Sequence, residues 1–157
     1  MKKGAGWVSH FVQYIGASAF LGGVFANIVL GRSHDFSLSL QEVLTSRTDI
    51  LHIILFVNLP GLLIFLLTDL YKMGLIKRNR GMKLTKLVLN GLVLLITSLG
   101  ILTVSIDMID LVKGAASAGN SISKSYYSLH RIEDIAGPIN LLLFLLSIGI
   151  GLKEKSE

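Results

Sequence analysis

Residues 51–68 read Leu51-His52-Ile53-Ile54-Leu55-Phe56-Val57-Asn58-Leu59-Pro60-Gly61-Leu62-Leu63-Ile64-Phe65-Leu66-Leu67-Thr68. An α-helix rises 1.5 Å per residue, so about 20 apolar residues cross a hydrocarbon core about 30 Å thick. This run and its flanks reach that length, and that decides the fold class. Three of its residues are out of place in a plain lipid anchor: His52, Asn58 and Pro60. A polar side chain in hydrocarbon costs a few kcal/mol, so it faces protein, water or a ligand. Pro60 has no N–H to give and predicts a kink that frees the carbonyl of Phe56. Asn58 is placed to answer that freed group.

A related pattern returns near the C-terminus as Leu129-His130, then Pro138 and Asn140 in a second leucine-rich run. Both histidine-to-proline spacings are eight residues. A shift of 78 superposes His52 on His130, Pro60 on Pro138 and Leu21-Gly22 on Leu99-Gly100. The expectation is two duplicated two-helix units.

The rest of the chain agrees with a membrane class. Of 157 residues, 52% are hydrophobic and 16% charged, where a soluble domain carries about 25% charged. Apolar blocks place helices at about residues 7–30, 49–71, 82–112 and 125–152. The predicted fold is an all-α, four-helix transmembrane bundle forming one domain. Residues 31–48 read as a polar connection with a short amphipathic piece around 38–44. The Gly/Ala/Ser-rich stretch 114–121 reads as a flexible loop. The N-terminal run contains His10 and Gln13 and continues to Leu30, too long and too polar for a cleaved signal; it is read as the first helix.

Net charge is +5, yet the basic residues flank the apolar blocks, so nucleic acid is not an expected partner. Ten Lys/Arg lie at the termini and around the central connection, at Lys2, Lys3, Lys72, Lys77, Arg78, Arg80, Lys83, Lys86, Lys153 and Lys155. Five lie at the other end: Arg32, Arg47, Lys113, Lys124 and Arg131. The positive-inside bias then puts both termini in the cytoplasm and the chain in the cytoplasmic (inner) membrane. There is no cysteine, which excludes disulfides, Cys-held iron–sulfur clusters and thioether-linked haem.

Gly16, Ala19, Gly23 and Ala26 share one face of the first helix, where another backbone or a flat cofactor could come close. Of the four histidines, His34 falls in a polar connection and reads as solvated. His52 and His130 fall at similar depth on the second and fourth helices, the requirement for two axial ligands on one haem iron. Arg47, Lys124 and Arg131 are near in sequence and could meet haem propionates. Interfacial histidines bonded to headgroups would look the same. His10, with Lys83 or Lys86 at its depth, is a candidate second site. Asp69 and Lys72 read as a local i, i+3 pair. Asp107, Asp110, Glu133 and Asp134 read as wet carboxylates pairing with Arg131 and Lys113, or as a proton or cation site.

The segment His10-Phe-Val-Gln-Tyr-Ile-Gly-Ala-Ser-Ala-Phe-Leu-Gly22-Gly23 resembles the first helix of HemJ-type protoporphyrinogen oxidases and of CopD-like copper-resistance domains. Lys83-Leu84-Thr85-Lys86-Leu87 is similar to the HemJ-type segment in which a lysine opens a helix. That resemblance implies a haem-associated protein using His10 and either Lys83 or Lys86. It departs from the family at Phe20, where a tryptophan is usual. His52 and His130 instead resemble the paired ligands of four-helix b-type cytochromes. The expectation is a membrane haem b protein in electron transfer or porphyrin oxidation. Its site residues would be His52, His130, His10, Lys86 and Arg131, its partner a quinone or a redox protein. The alternatives are a non-catalytic subunit of a larger membrane complex or homo-oligomer, and a CopD-like metal permease component. The scattered methionines argue against copper.

Overall fold

The computed structural model describes residues 2–32, 39–75 and 80–156. They form α1 (Lys2–Arg32), α2 (Leu40–Ile53), α3 (Leu59–Leu75), α4 (Arg80–Leu95), α5 (Leu102–Ala118) and α6 (Lys124–Ser156). A π turn at Ile54–Asn58 joins α2 to α3, and a second at Ile96–Ile101 joins α4 to α5. The result is four rods, alternating in direction, with both termini at one end. Each rod holds a stretch long and apolar enough to cross a membrane: Trp7–Gly31, Leu40–Met73, Gly81–Ala118 and Lys124–Lys153. The protein is an all-α four-helix bundle integral to a membrane. His34, Lys77 and Arg78 lie outside the described residues.

The outer wall is apolar, with Val29, Phe56, Leu67 and Leu99 among many large side chains left exposed. In lipid such surface costs nothing, and helices satisfy their own backbone groups there. The centre is a small buried cluster of Ala17, Phe20, Leu62, Phe65, Val93 and Phe144. The Phe144 ring lies 4.5 Å from that of Phe20 and 5.0 Å from that of Phe65.

α1 and α3 cross with their backbones touching. A Cβ on Gly16 would stand 2.7 Å from the carbonyl oxygen of Gly61, and one on Gly61 2.8 Å from that of Gly16. Only glycine at both positions permits this approach. The small face of the first helix is thus used for packing.

Helix ends differ from the sequence reading. The second rod begins at Leu40, well before the expected start near residue 49. Ser39 and Glu42 form a capping box: the Ser39 hydroxyl accepts from the Glu42 N–H, and the Glu42 carboxylate accepts from the Ser39 N–H at 2.8 Å. Val43, Arg47 and Ile50 are buried and hold this extension on the bundle. At the same end α5 runs to Ala118, through most of the stretch read as a loop. Alanine is the best helix former, so Ala115, Ala116 and Ala118 continue the helix. Gly119, at φ 64°, ends it: the Asn120 N–H bonds the Ala115 carbonyl at 3.0 Å, in a Schellman arrangement. The second and third rods, at 34 and 38 residues, are therefore longer than the about 20 residues that cross a hydrocarbon core. Beyond α1 they join the start of α6 in a second core of Val43, Val104, Met108, Val112 and Tyr126.

The expected kink before Pro60 takes the form of the π turn, in which the Leu59 N–H reaches back to the Ile54 carbonyl. Asn58 does not answer the freed carbonyl; its side chain makes no hydrogen bond, and its oxygen is buried without a partner. Nor do the π turns keep the 78-residue spacing. Positions 54–58 map onto 132–136, which are regular helix in α6.

Candidate functional site

Two polar sites flank the aromatic centre, one toward each end of the bundle. The larger is a cavity of about 530 Å³ in the half away from the termini. Phe20, Val24 and Ile28 of α1, with Ile50, Ile101 and Leu141, make its apolar walls. Asn27, Asn58, Thr97 and Asn140 supply polar groups inside it, and His130, Glu133 and Asp134 form its rim. Both π turns contribute to the wall, through Asn58 and through Thr97 and Ile101. Such wide turns recur at functional sites.

The amide oxygens of Asn27, Asn58 and Asn140 are buried and have no hydrogen-bond partner in the protein. Burying such a group unpaired costs about 1–3 kcal/mol each. All three residues line the one cavity. Asn140 is held from its other side: its Nδ2 donates to Thr97 Oγ1 at 2.7 Å, and that hydroxyl donates to the Val93 carbonyl at 2.8 Å. Asn58 is seated in a notch on α1, since a Cβ on Gly23 would fall 1.6 Å from its Oδ1. α1 and α6 both line the cavity yet barely touch each other. Gly31 and Gly137 stand on that seam with open space where a side chain would be. The lining of the cavity thus carries no side chain at these two positions along the seam.

The rim is organised by Arg47, which is 1% exposed. Its Nε donates to Tyr126 Oη at 2.9 Å and its Nη1 to Glu133 Oε2 at 2.5 Å. Nη2 lies 3.4 Å from His130 Nδ1. Ser105 Oγ donates to the other Glu133 oxygen at 3.1 Å. The same His130 nitrogen is 3.7 Å from Glu133 and from Asp134. A buried guanidinium is thus neutralised by one carboxylate and braced by a phenol.

The second site lies near the termini. The Asp69 carboxylate, 7% exposed, accepts from Lys86 Nζ and Gln13 Nε2 at 2.5 Å each and from Asn90 Nδ2 at 2.6 Å. Lys72 Nζ donates to Gln13 Oε1 and meets His10 Nδ1 at 2.8 Å. Lys86 Nζ also stands 5.0 Å from the centre of the Phe65 ring. Charged groups inside a transmembrane bundle pair with one another and mark functional sites.

The sequence-derived candidates divide between these sites. His10 and Lys86 fall in one hydrogen-bonded network, through Lys72, Gln13 and Asp69. His130 is on the cavity rim. His52 is exposed, its ring 6.0 Å from that of the exposed Phe56, and it is not in the cavity wall. The surroundings of the two rings differ: His52 lies beside Phe56, whereas His130 lies beside Tyr126 and Arg47. Arg131 is exposed, and Arg47 is consumed by Glu133 and Tyr126. Among the described residues no three His, Cys, Asp or Glu side chains gather as a metal site. The local influence of Lys72 on Asp69 is present, and Lys86, projecting from α4 into the bundle, adds a direct cross-helix ion pair. One pairing is corrected. Glu133 pairs with Arg47, not with Arg131 or Lys113, because Arg131 lies on the exposed side of α6.

The Arg47 hub escaped the sequence reading, although Val43, Arg47, Ile50 and Ile54 follow the i, i+4, i+7, i+11 spacing of one helix face. Asn27 gave no signal apart from its polarity. Compared with family models, curated proteins and solved structures, the chain finds no match.

Proposed function

We propose that the protein binds a membrane-dissolved ligand in the cavity, one with an apolar body and a headgroup that donates hydrogen bonds. A quinol is the class that fits best. The observation that carries this reading is that three asparagines with partnerless amide oxygens line a mainly apolar chamber. A quinol hydroxyl would satisfy them, and its apolar tail would leave through the seam between α1 and α6. His130 and Glu133 at the rim are the groups able to take up or return its protons. The excess of Lys/Arg at the other end orients the chain with both termini in the cytoplasm of a cell bounded by its inner membrane. The cavity then opens in the outer leaflet.

Asn58 and Asn27 allow a clean test, because neither side chain is hydrogen-bonded among the described residues, whereas Asn140 donates to Thr97. Asn58→Leu is expected to raise the stability of the ligand-free protein by about 1 kcal/mol. It should also weaken binding of a short-tailed quinol about tenfold, one hydrogen bond's worth. Calorimetric titration of the detergent-purified protein reads both arms against the unmodified chain. Unchanged affinity in both Asn58→Leu and Asn27→Leu would sink the reading.

A haem b held by His130 is the second reading. One observation favours it: His130 turns Nδ1 toward Arg47, Glu133 and Asp134, the kind of support that orients a metal-binding imidazole through its other nitrogen. When bound, haem would supply one-electron chemistry; the protein's part would be to hold and shield it. A Soret band in the visible spectrum, lost in His130→Ala and kept in His52→Ala, would select haem over quinol.

A further inference from the structure

α4 and α6 run antiparallel in a register fixed at two points. Thr97 is hydrogen-bonded to Asn140, and a Cβ on Gly151 would lie 3.3 Å from Lys86 Cε and Nζ. Stepping between those points sets Asn90 opposite Ser147 and Val93 opposite Phe144. Asn90 is 1% and Ser147 0% exposed, and both Asn90 Oδ1 and Ser147 Oγ lack a partner in the protein. Two such atoms at one level fit a buried water.

The polar column can be followed from end to end. It starts at His10 on α1 and Lys72 on α3 and passes through Gln13 to Asp69. Asn90 continues it to the Ser147 level. One apolar layer follows, of fully buried Val93 and Phe144. Beyond it come Thr97 and Asn140, the cavity, and Glu133 at the rim. Asn90 and Thr97 are two helical turns apart, about 10 Å. Among the described residues, the other titratable groups at this end are Tyr14 on α1, Tyr71 on α3, Lys83 and Lys86 on α4, and Lys153 on α6; the tyrosines and Lys153 are exposed.

We propose that the α4–α6 seam is a proton path from the Asp69 cluster to the cavity, closed by the Val93–Phe144 layer. A proton from water at the termini end adds to the Asp69 carboxylate. It leaves by the water level of Asn90 and Ser147, and on opening of the layer reaches the cavity and the Glu133 carboxylate. Only an O–H bond breaks and another forms at each transfer; no electron moves. Lys86 is the fixed counter-charge. The path goes beyond the ligand reading and stands without it, since a proton needs no quinol to cross.

The test uses the full chain in phosphatidylcholine vesicles containing a pH-sensitive dye, with a valinomycin-set potassium potential as driving force. The unmodified protein should pass protons little faster than empty vesicles. Phe144→Ala, or Val93→Ser should the first variant fail to fold, should raise the rate at least tenfold. Adding Asp69→Asn should return it to baseline, while adding Asp69→Glu should keep it high. A leak indifferent to Asp69→Asn overturns the proposal, as does the absence of any leak in a helical, monodisperse opening variant. An unmodified chain as leaky as Phe144→Ala overturns the role of the layer.

Discussion

The two ends of the bundle solve one problem in different ways. Each buries a cation against a carboxylate: Lys86 with Asp69 near the termini, Arg47 with Glu133 at the other end. At the first, the carboxylate is saturated by three donors from two helices, two of them neutral amides. At the second, Arg47 is itself the hub, with bonds to Tyr126 and Glu133 and a histidine alongside. Asp69 can lose one partner and keep two. Without Arg47, Glu133 at the edge of the cavity keeps the Ser105 hydroxyl and the neighbouring His130 but loses its permanent cation. The lesson is that buried charge near the termini is distributed, whereas at the cavity it is concentrated.

The largest effect should therefore come from Arg47. Arg47→Met is expected to destabilise the protein by about 3–5 kcal/mol, because Glu133 is left charged and half-buried without its permanent cation. The double change Arg47→Met/Glu133→Leu should recover most of that loss. Unfolding titrations in mixed micelles measure both, and equal losses in single and double variants would break the comparison. Next comes Lys86→Met, at about 1–3 kcal/mol, since the Gln13 and Asn90 amides still serve Asp69. A cost matching that of Arg47→Met would mean the two ends are built alike. Gly23→Ala should follow, at about 1–3 kcal/mol, because Asn58 must leave its notch. It should weaken ligand binding along with stability, which titration of the purified variant would register. Smallest of all is His52→Ala, expected within about 0.5 kcal/mol and without effect on binding. A large effect there would restore that ring to the site.

The class of fold was legible because four apolar blocks of membrane length leave few other structures available. Helix ends were not. Ser39 and Glu42 carry a capping box in plain view, but the polar residues after it disguise a helix buried on only one face. The same disguise hid Arg47, which occupies an apolar stripe at helical spacing while looking like a loop charge. Asp69 was visible as an acid near a lysine four residues short of the chain's basic connection. Its partner on α4 was not, since cross-helix pairing depends on how the rods are rotated. His52 and His130 share their spacing to a proline but not their surroundings. A repeat in sequence does not fix the direction in which a side chain leaves its helix, and here one histidine faces out while the other faces the cavity.

The π turn at Ile54–Asn58 has a further consequence for the rod that contains it. Val43, Arg47, Ile50, Ile54, Asn58, Leu62, Phe65 and Asp69 are all buried, a single stripe spanning 26 residue steps. At about 100° per step an unbroken α-helix would finish about 80° past seven whole revolutions, turning Asp69 away from the stripe that Val43 begins. The wide turn absorbs one step, leaving about 2500°, within about 20° of those seven revolutions. It works as a phase correction that lets one rod serve both ends of the molecule. Removing one residue from 54–58 would only tighten the turn and keep both ends in phase, whereas the same deletion anywhere else in the rod would set them against each other.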